Sequence, residues 1–475
     1  MDSNPVVLFE IDFAVPAQQF RIEYTLVDKG GLPVIPEFLL RLLKISALLP
    51  AEIAKYFGFT QKELSTALTP FLQSGEIRIR PDGRAELTEL GIRLFSESHE
   101  TPVVKRKQER QQTYAFDLLA LSYLGKRVKN ITSKRTLELQ ASPSTLTDSC
   151  RLAVSAFMGQ IYDIHRTGDL GGSGQERMPP ELYKVADAQK IQDGWEVVEE
   201  RAAIDPDARQ VRFIARGGLR ESEDYIRQRT EQLLKQISTN NLDQVIALAD
   251  RFGDTGSYEY LKSEGIDLGA LHRAAKSSNL TDNRLFGAIH LQGNWDKVSS
   301  LLRKHLKEVQ SSPLENSLTL TWLAPAAHGL WGKSARHGEM CSTFAELSNA
   351  RSKGSKTKIN VFDLKILVPL ADQWDRPGIK RAVSDCADAK EFLHGFIESE
   401  DLAPVEAIII KERLAIVIYH VVTPEASQVP IPFGFITEDP SKISAISTFI
   451  NQTLDQYITG NKQRYLGQIN GRKND

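Results

Sequence analysis

At 475 residues the chain is too long for a single hydrophobic core and reads as several domains. With 59 Lys and Arg against 61 Asp and Glu it is nearly neutral, which excludes polyanion binding through bulk charge and leaves only local asymmetry to support it. Hydrophobic content of 41% and charged content of 25% describe an ordinary soluble globular protein, and the three scattered cysteines, Cys150, Cys341 and Cys386, suggest a reducing compartment rather than a disulfide framework.

The first residues, MDSNPVVLFEID, carry acids where a signal peptide needs positive charge, and no window holds eighteen uninterrupted apolar residues. A cytoplasmic protein without a membrane partner is expected. Residues 6–13 and 20–27 read as two strands of an N-terminal β-hairpin spanning 1–34, the second alternating Phe20, Ile22, Tyr24 and Leu26 with polar residues. Lys29-Gly30-Gly31-Leu32-Pro33 then breaks the chain.

From 36 to 46, Phe38, Leu39, Leu42, Leu43 and Ile45 form a broad apolar stripe on a first helix. Pro50 opens a second, stopped by Gly58. Thr60-Gln61-Lys62-Glu63 is a capping box that starts a third, whose Leu64, Ala67, Leu68, Phe71 and Leu72 turn inward. Gln61, Lys62, Ser65 and Thr69 then face outward, and Pro70 is placed to kink the last turn. Residues 76–80 and 84–87 read as strands joined by a turn at Pro81-Asp82-Gly83, and Leu87-Thr88-Glu89-Leu90-Gly91 begins a closing helix.

Three helices followed by a short hairpin resemble a winged-helix domain, here at 35–98, and Leu-Thr-x-x-Gly after the wing is common in bacterial winged-helix proteins. The resemblance covers about sixty residues. It implies a third helix entering the major groove, with Gln61, Lys62, Ser65 and Thr69 near bases and Arg78, Arg80 and Arg84 near phosphates. Eight basic residues against seven acids between 36 and 95 also leave protein docking through the same scaffold open.

Between 101 and 135 nine basic residues face two acids. Lys105, Arg106, Lys107 and Arg110 form one cluster, and Lys126, Arg127, Lys129, Lys134 and Arg135 the other. Residues 114–124 read as an apolar helix between them, so 99–168 is expected to be a basic helical region offering phosphate contacts without sequence readout. Pairing with acids such as Glu196, Glu199 and Glu200 is the alternative. Residues 146–166 complete this region as an amphipathic core helix through Cys150, Val154, Phe157, Met158, Ile161 and Ile164.

A Gly-rich linker at 169–178 leads to a small β-rich module at 179–219 with a basic edge of Arg209, Arg212, Arg216 and Arg220. Residues 220–310 read as helical, with segments at 225–237, 242–252, 268–276, 283–291 and 295–307. An α/β domain follows at 311–460, with strands at 318–323, 359–370, 407–410, 414–422 and 432–436. A final helix is capped by Asp439 and opened by Pro440, and a polar, flexible tail is expected from 461 to 475. The fold class is therefore multidomain α+β.

Recognisable chemistry is scarce. Gly332-Lys333-Ser334 matches the end of a Walker loop, but Ala327 stands where its first glycine belongs. His328, His337 and Cys341 lack a fourth zinc ligand. Asp363-Leu364-Lys365 resembles the Asp/Glu-x-Lys end of a metal-dependent nuclease motif without its upstream carboxylate, so Asp363 and Lys365 mark the one catalytic alternative. No cofactor or bound metal is expected. The layout loosely resembles accessory subunits of bacterial DNA-processing or anti-phage defence systems, which implies duplex DNA and other protein subunits as partners. A winged-helix transcription regulator with a C-terminal effector domain is the alternative.

Overall fold

The computed structural model describes residues 5–95, 101–130, 135–170, 181–205, 210–216, 221–237, 239–262, 264–277, 283–310, 317–351, 360–370, 375–398 and 401–458. The chain is a multidomain α+β protein that divides into two compact units. One comprises Met1–Pro16, Lys129–Ala141 and Trp195–Asp475; the other comprises Ala17–Val128 and Ser142–Gly194.

The smaller unit holds the segment read as a winged helix. Its first strand, β1 (Val6–Gly31), is continuous, and residues 17–31 belong to this unit. The hairpin expected at 1–34 is therefore one strand. The reason lies between the two predicted segments, where Ala14-Val15-Pro16-Ala17-Gln18-Gln19 contains no Gly, Asn or Asp to turn the chain. Three helices follow: α1 (Val34–Ile45), α2 (Pro50–Phe57) and α3 (Gln61–Gln73). The wing is β2 (Ile77–Ile79) paired with β3 (Ala85–Leu87), closed by α4 (Glu89–Arg93). Leu39, Leu40, Leu43, Ile53, Leu64, Leu68, Phe71, Ile77 and Leu87 fill one local core.

Residues 103–117 form a strand, β4 (Val103–Asp117), antiparallel to β1 with Phe20 opposite Tyr114 and Tyr24 opposite Arg110. The helix expected at 114–124 is absent: β4 runs through Asp117, and β5 (Tyr123–Gly125) pairs back onto it. Tyr114 and Phe116 project to the same side as Phe20, Ile22 and Tyr24, where Phe157, Ile161 and Ile164 cover them. The Tyr24 and Tyr114 hydroxyls meet at 2.7 Å. On a strand successive side chains alternate faces, so Lys107 points opposite to Arg110. The predicted core helix is three short pieces, α5 (Pro143–Thr147), α6 (Ser149–Gly159) and α7 (Ile161–Arg166), and Met158 is exposed rather than buried.

In the larger unit, β6 (Leu137–Glu138) runs parallel to β1 at Phe13 and Ala14. The expected β-rich module is one long strand, β7 (Glu181–Asp205), of which residues 181–194 belong to the smaller unit and whose end, in the larger, pairs with β8 (Gln210–Arg216). The Gly-rich stretch 171–178, Arg209, Arg220 and the tail from 461 lie outside the described residues. Helices α8 (Glu223–Leu234), α9 (Leu242–Arg251) and α10 (Leu268–Ser277) follow, with a small ribbon of β9 (Leu261–Lys262) and β10 (Gly265–Ile266) between the last two. The helix expected at 283–291 is instead an edge strand, β11 (Arg284–Phe286), ended by Gly287 at φ +85°.

Helix α11 (Gln292–Gln310) leads into β12 (Leu318–Leu323), α12 (Ala335–Ser348), β13 (Phe362–Leu370), α13 (Arg376–Asp385) and β14 (Leu393–Glu398). Then come β15 (Val405–Ile410), β16 (Leu414–Val421), β17 (Ile431–Thr437) and α14 (Pro440–Ile458). The seven-stranded sheet has the order β11-β17-β16-β15-β12-β13-β14, with β12, β13 and β14 parallel and the remaining pairs antiparallel. Buried side chains of α11, α12 and α13 cover one face, and those of α9, α10 and α14 the other. Strands buried on both faces read as apolar runs, which is why β15, β16 and β17 were legible as VEAIII, LAIVIYHV and IPFGFIT.

Candidate nucleic-acid interface

The third helix begins as the sequence dictates. The Thr60 N–H donates to Glu63 Oε2 at 2.9 Å and the Glu63 N–H to Thr60 Oγ1 at 3.4 Å. The Thr60 N–H, and after it the Thr60 hydroxyl, which also donates to Glu63 Oε2 at 2.9 Å, hold the Glu63 carboxyl below the usual carboxylate range. Leu64, Leu68 and Phe71 are buried, and Gln61, Lys62, Ser65 and Thr69 are all exposed on the opposite side. The Thr69 hydroxyl donates to the Ser65 carbonyl at 2.6 Å. Gln61, Lys62 and Ser65 thus supply an amide, an ammonium and a hydroxyl along one face.

The wing is anchored by Leu-Thr-x-x-Gly. Leu87 is buried, Thr88 Oγ1 donates to the Gly75 carbonyl at 2.7 Å and caps α4 by accepting from the Gly91 N–H at 3.3 Å. Position 91 must be glycine for a steric reason: a Cβ there would stand 2.3 Å from the Glu76 carbonyl oxygen. At the tip, Gly83 adopts φ +83° and its N–H donates to the Arg80 carbonyl at 2.9 Å.

The wing arginines are exposed but not unpaired. Arg78 Nε donates to Glu86 Oε1 at 2.7 Å, and Arg80 forms an ion pair with the other oxygen of the same carboxylate. Hydrogen bonds from Arg80 and then Arg78 push the Glu86 carboxyl below its usual range. Arg84 lies 3.9 Å from Asp82 and donates to the Ala47 carbonyl at 3.2 Å. Three cations therefore share two carboxylates.

The second basic run is still more occupied. Lys107 Nζ sits 3.8 Å over the Tyr183 ring, and Arg110 donates to the Leu170 carbonyl at 2.8 Å. Lys126 stands 3.4 Å from Asp169, and Lys129 stands 2.7 Å from Glu196, one of the acids the sequence offered as its partner. Arg127 is exposed. Arg135 is turned to Asp388 at 2.7 Å. Lys105 and Arg106 lie on β4 opposite Lys29 and Asp28, and their side chains, like all of Lys134, are outside the described set.

In the larger unit the Gly332-Lys333-Ser334 loop does join a strand to a helix, as a Walker loop would. Its cation is spent: Lys333 Nζ is buried 2.9 Å from Asp385 Oδ1. Asp12 Oδ2 accepts the Ala335 N–H at 2.7 Å at the start of α12. The chain's own carboxylates thus occupy the places a phosphate would take. Beside this loop a cavity of about 230 Å³ is lined by Lys235, Gln236, Trp331, Asp375 and Arg381, among others.

Sequence reasoning missed one buried network altogether. The Leu330 N–H donates to His328 Nδ1 at 3.1 Å, so His328 carries its proton on Nε2, 2.9 Å from His420 Nδ1. His420 Nε2 meets Glu406 Oε2 at 3.2 Å, and Glu406 Oε1 accepts from the Trp322 and Trp331 indoles at 3.1 and 3.2 Å. Burial holds His328 neutral, far below the usual imidazole range. Every nitrogen of the relay is satisfied internally, so it fixes the loop rather than offering a base. Asp363 and Lys365 lie on β13, 3.5 Å apart, but no group of three metal-ligating side chains occurs among the described residues.

No family model matches the sequence. No curated protein matches it either. Among solved structures, the archaeal chromatin protein TrmBL2, described as showing a novel mode of DNA binding, aligns at 10% identity and a TM-score of 0.20. The alignment covers 45% of this chain and 66% of that one, just under two thirds of its length. Likeness of that degree carries no argument about this chain. Among the described residues no helix is long and apolar enough to cross a membrane.

Proposed function

We propose that the chain contacts duplex DNA through α3 and the wing of its winged helix, as an accessory subunit of a multi-protein bacterial DNA-processing or defence system, with no reaction of its own assigned. The observation that carries this reading is the outward face of α3, where Gln61, Lys62, Ser65 and Thr69 are exposed together beside the exposed Arg78, Arg80 and Arg84. Amide, ammonium and hydroxyl groups are the donors that read base edges, while guanidinium groups at a wing tip meet phosphates. Because Glu86 and Asp82 already neutralise part of the wing, binding by one copy is expected to be weak and strongly dependent on salt. The reading rests first on this domain, because the cations at 107, 110, 126 and 129 already hold contacts within the chain; exposed Arg127 remains a candidate phosphate contact beside it.

The test is binding of full-length protein to random-sequence duplex across a salt series, beside a variant carrying Gln61→Ala, Lys62→Ala and Arg84→Ala. Salt-sensitive binding that the substitutions weaken supports the reading. Absence of binding by folded wild-type protein at low salt overturns it.

A further inference from the structure

Ten of the nineteen large apolar side chains exposed among the described residues fall between positions 34 and 92, the winged-helix segment. A face that only met DNA phosphates would not be apolar, so this concentration asks for a protein partner. Four of the ten, Val34, Ile35, Phe38 and Ile45, lie on α1. At about 100° per residue, Val34, Phe38, Arg41 and Ile45 lie within roughly 40° of the helix's outward line, opposite the buried Leu39, Leu40 and Leu43. Val34 is 70% exposed, Phe38 50% and Ile45 82%.

The charges beside this stripe identify the partner. Glu37 and Lys44 stand seven residues apart on one flank of α1, with the acid near its start and the base near its end; each also has a contact in its own chain, Glu37 with Arg41 at 3.1 Å and Lys44 Nζ over the Phe95 ring at 4.5 Å, which a pair across an interface would share. In an antiparallel pair of identical helices, each flank meets its own copy. A two-fold axis passing midway between Glu37 and Lys44 brings each acid against the other copy's base. That midpoint falls within one residue of the midpoint of the apolar stripe, which runs from 34 to 45. One register therefore satisfies both patterns. Arg41 lies on the centre line, where its charge is already balanced by Glu37 at 3.1 Å, and its guanidinium stands 5.4 Å from the Phe38 ring.

We infer that a second copy of this chain docks on α1, pairing the Val34, Phe38 and Ile45 faces antiparallel and the Glu37 and Lys44 flanks reciprocally. A twelve-residue helix spans only about 18 Å, less than a standard interface, so a micromolar dissociation constant is expected. The inference goes beyond the DNA reading and does not depend on it.

Sedimentation equilibrium of full-length protein without DNA tests it, with far-UV circular dichroism confirming that each variant is folded. Wild type should show a monomer–dimer equilibrium, which Phe38→Glu or Ile45→Glu abolishes. Glu37→Lys and Lys44→Glu should each raise the dissociation constant by about tenfold, because each creates two like-charge contacts across the axis. The double swap should return it to within about threefold of wild type, since reversing both charges restores each pair. A wild-type monomer at every concentration up to about 100 μM, a dimer indifferent to Phe38→Glu, or a double swap no better than the single changes would each overturn the inference.

Discussion

If the wing meets phosphate, Glu86 restrains it, and Glu86→Gln should strengthen DNA binding. Glu86 holds Arg78 at 2.7 Å and pairs with Arg80 as well, so one carboxylate draws on both guanidiniums. Glutamine keeps the size and one acceptor but removes the charge. Each further phosphate that the wing neutralises adds about 0.9 to the steepness of log affinity against log salt, so two freed arginines add up to ~1.8. Over a rise from about 50 to 200 mM salt, the variant's affinity would then fall about tenfold more than wild type's. Fluorescence anisotropy of a labelled random duplex at several salt concentrations measures both slopes. A folded Glu86→Gln protein whose slope matches wild type within about 0.4 would refute phosphate contact by the wing.

Three further expectations concern stability. Burial, offset in part by the Ala335 N–H, raises the Asp12 carboxyl from its ordinary 3.8 to about 6. The folded state therefore binds that proton more tightly, and the group's ionisation costs stability progressively as pH rises from about 4 to about 6. Asp12→Asn should match wild type below pH 4 and exceed it by up to ~3 kcal/mol at pH 7.5 in urea denaturation. Tryptophan fluorescence reports this unit selectively, because all five tryptophans lie at or beyond position 195; no gain at neutral pH would refute the assignment. Gly91→Ala drives a Cβ against the Glu76 carbonyl and should cost ~1–3 kcal/mol, read as a lowered circular-dichroism melt of the smaller unit. Glu406→Ala strips the acceptor from two indoles and one imidazole and should cost ~3–5 kcal/mol, with altered tryptophan emission before unfolding.

The three helices and the hairpin after them were legible because their signals are local. A threonine three residues before a glutamate, a proline-glycine turn and a Leu-Thr-x-x-Gly each fix geometry within a few residues. What failed was non-local. Tyr114 and Phe116 suit a buried strand or a buried helix equally well, and only pairing with β1, some ninety positions away, selects the strand. Lys107 and Arg110 looked like parts of one surface for the same reason; the strand sends them to two faces. Nor could spacing reveal that Lys333 is spent on Asp385, 52 residues away, or that His328 reaches His420 across 92.

The weak cationic character of this domain and its apolar helix face bear on each other. A single copy offers Lys62 and partly neutralised arginines, too few charges for firm attachment to duplex DNA. Two copies joined through α1 would engage one duplex with two α3 helices, the second contact being intramolecular and so favoured by effective concentration. If both readings hold, Phe38→Glu, which leaves α3 and the wing untouched, should reduce DNA affinity by at least tenfold and roughly halve the salt slope on a duplex long enough for two copies. On a duplex that admits only one copy, wild type and variant should bind alike. Equal loss on both lengths would mean that Phe38 acts on the DNA-contacting face itself. The same pair of duplexes separates an accessory subunit from a regulator: the former tolerates any sequence, whereas the latter gains affinity only when two half-sites stand a helical turn or its multiple apart.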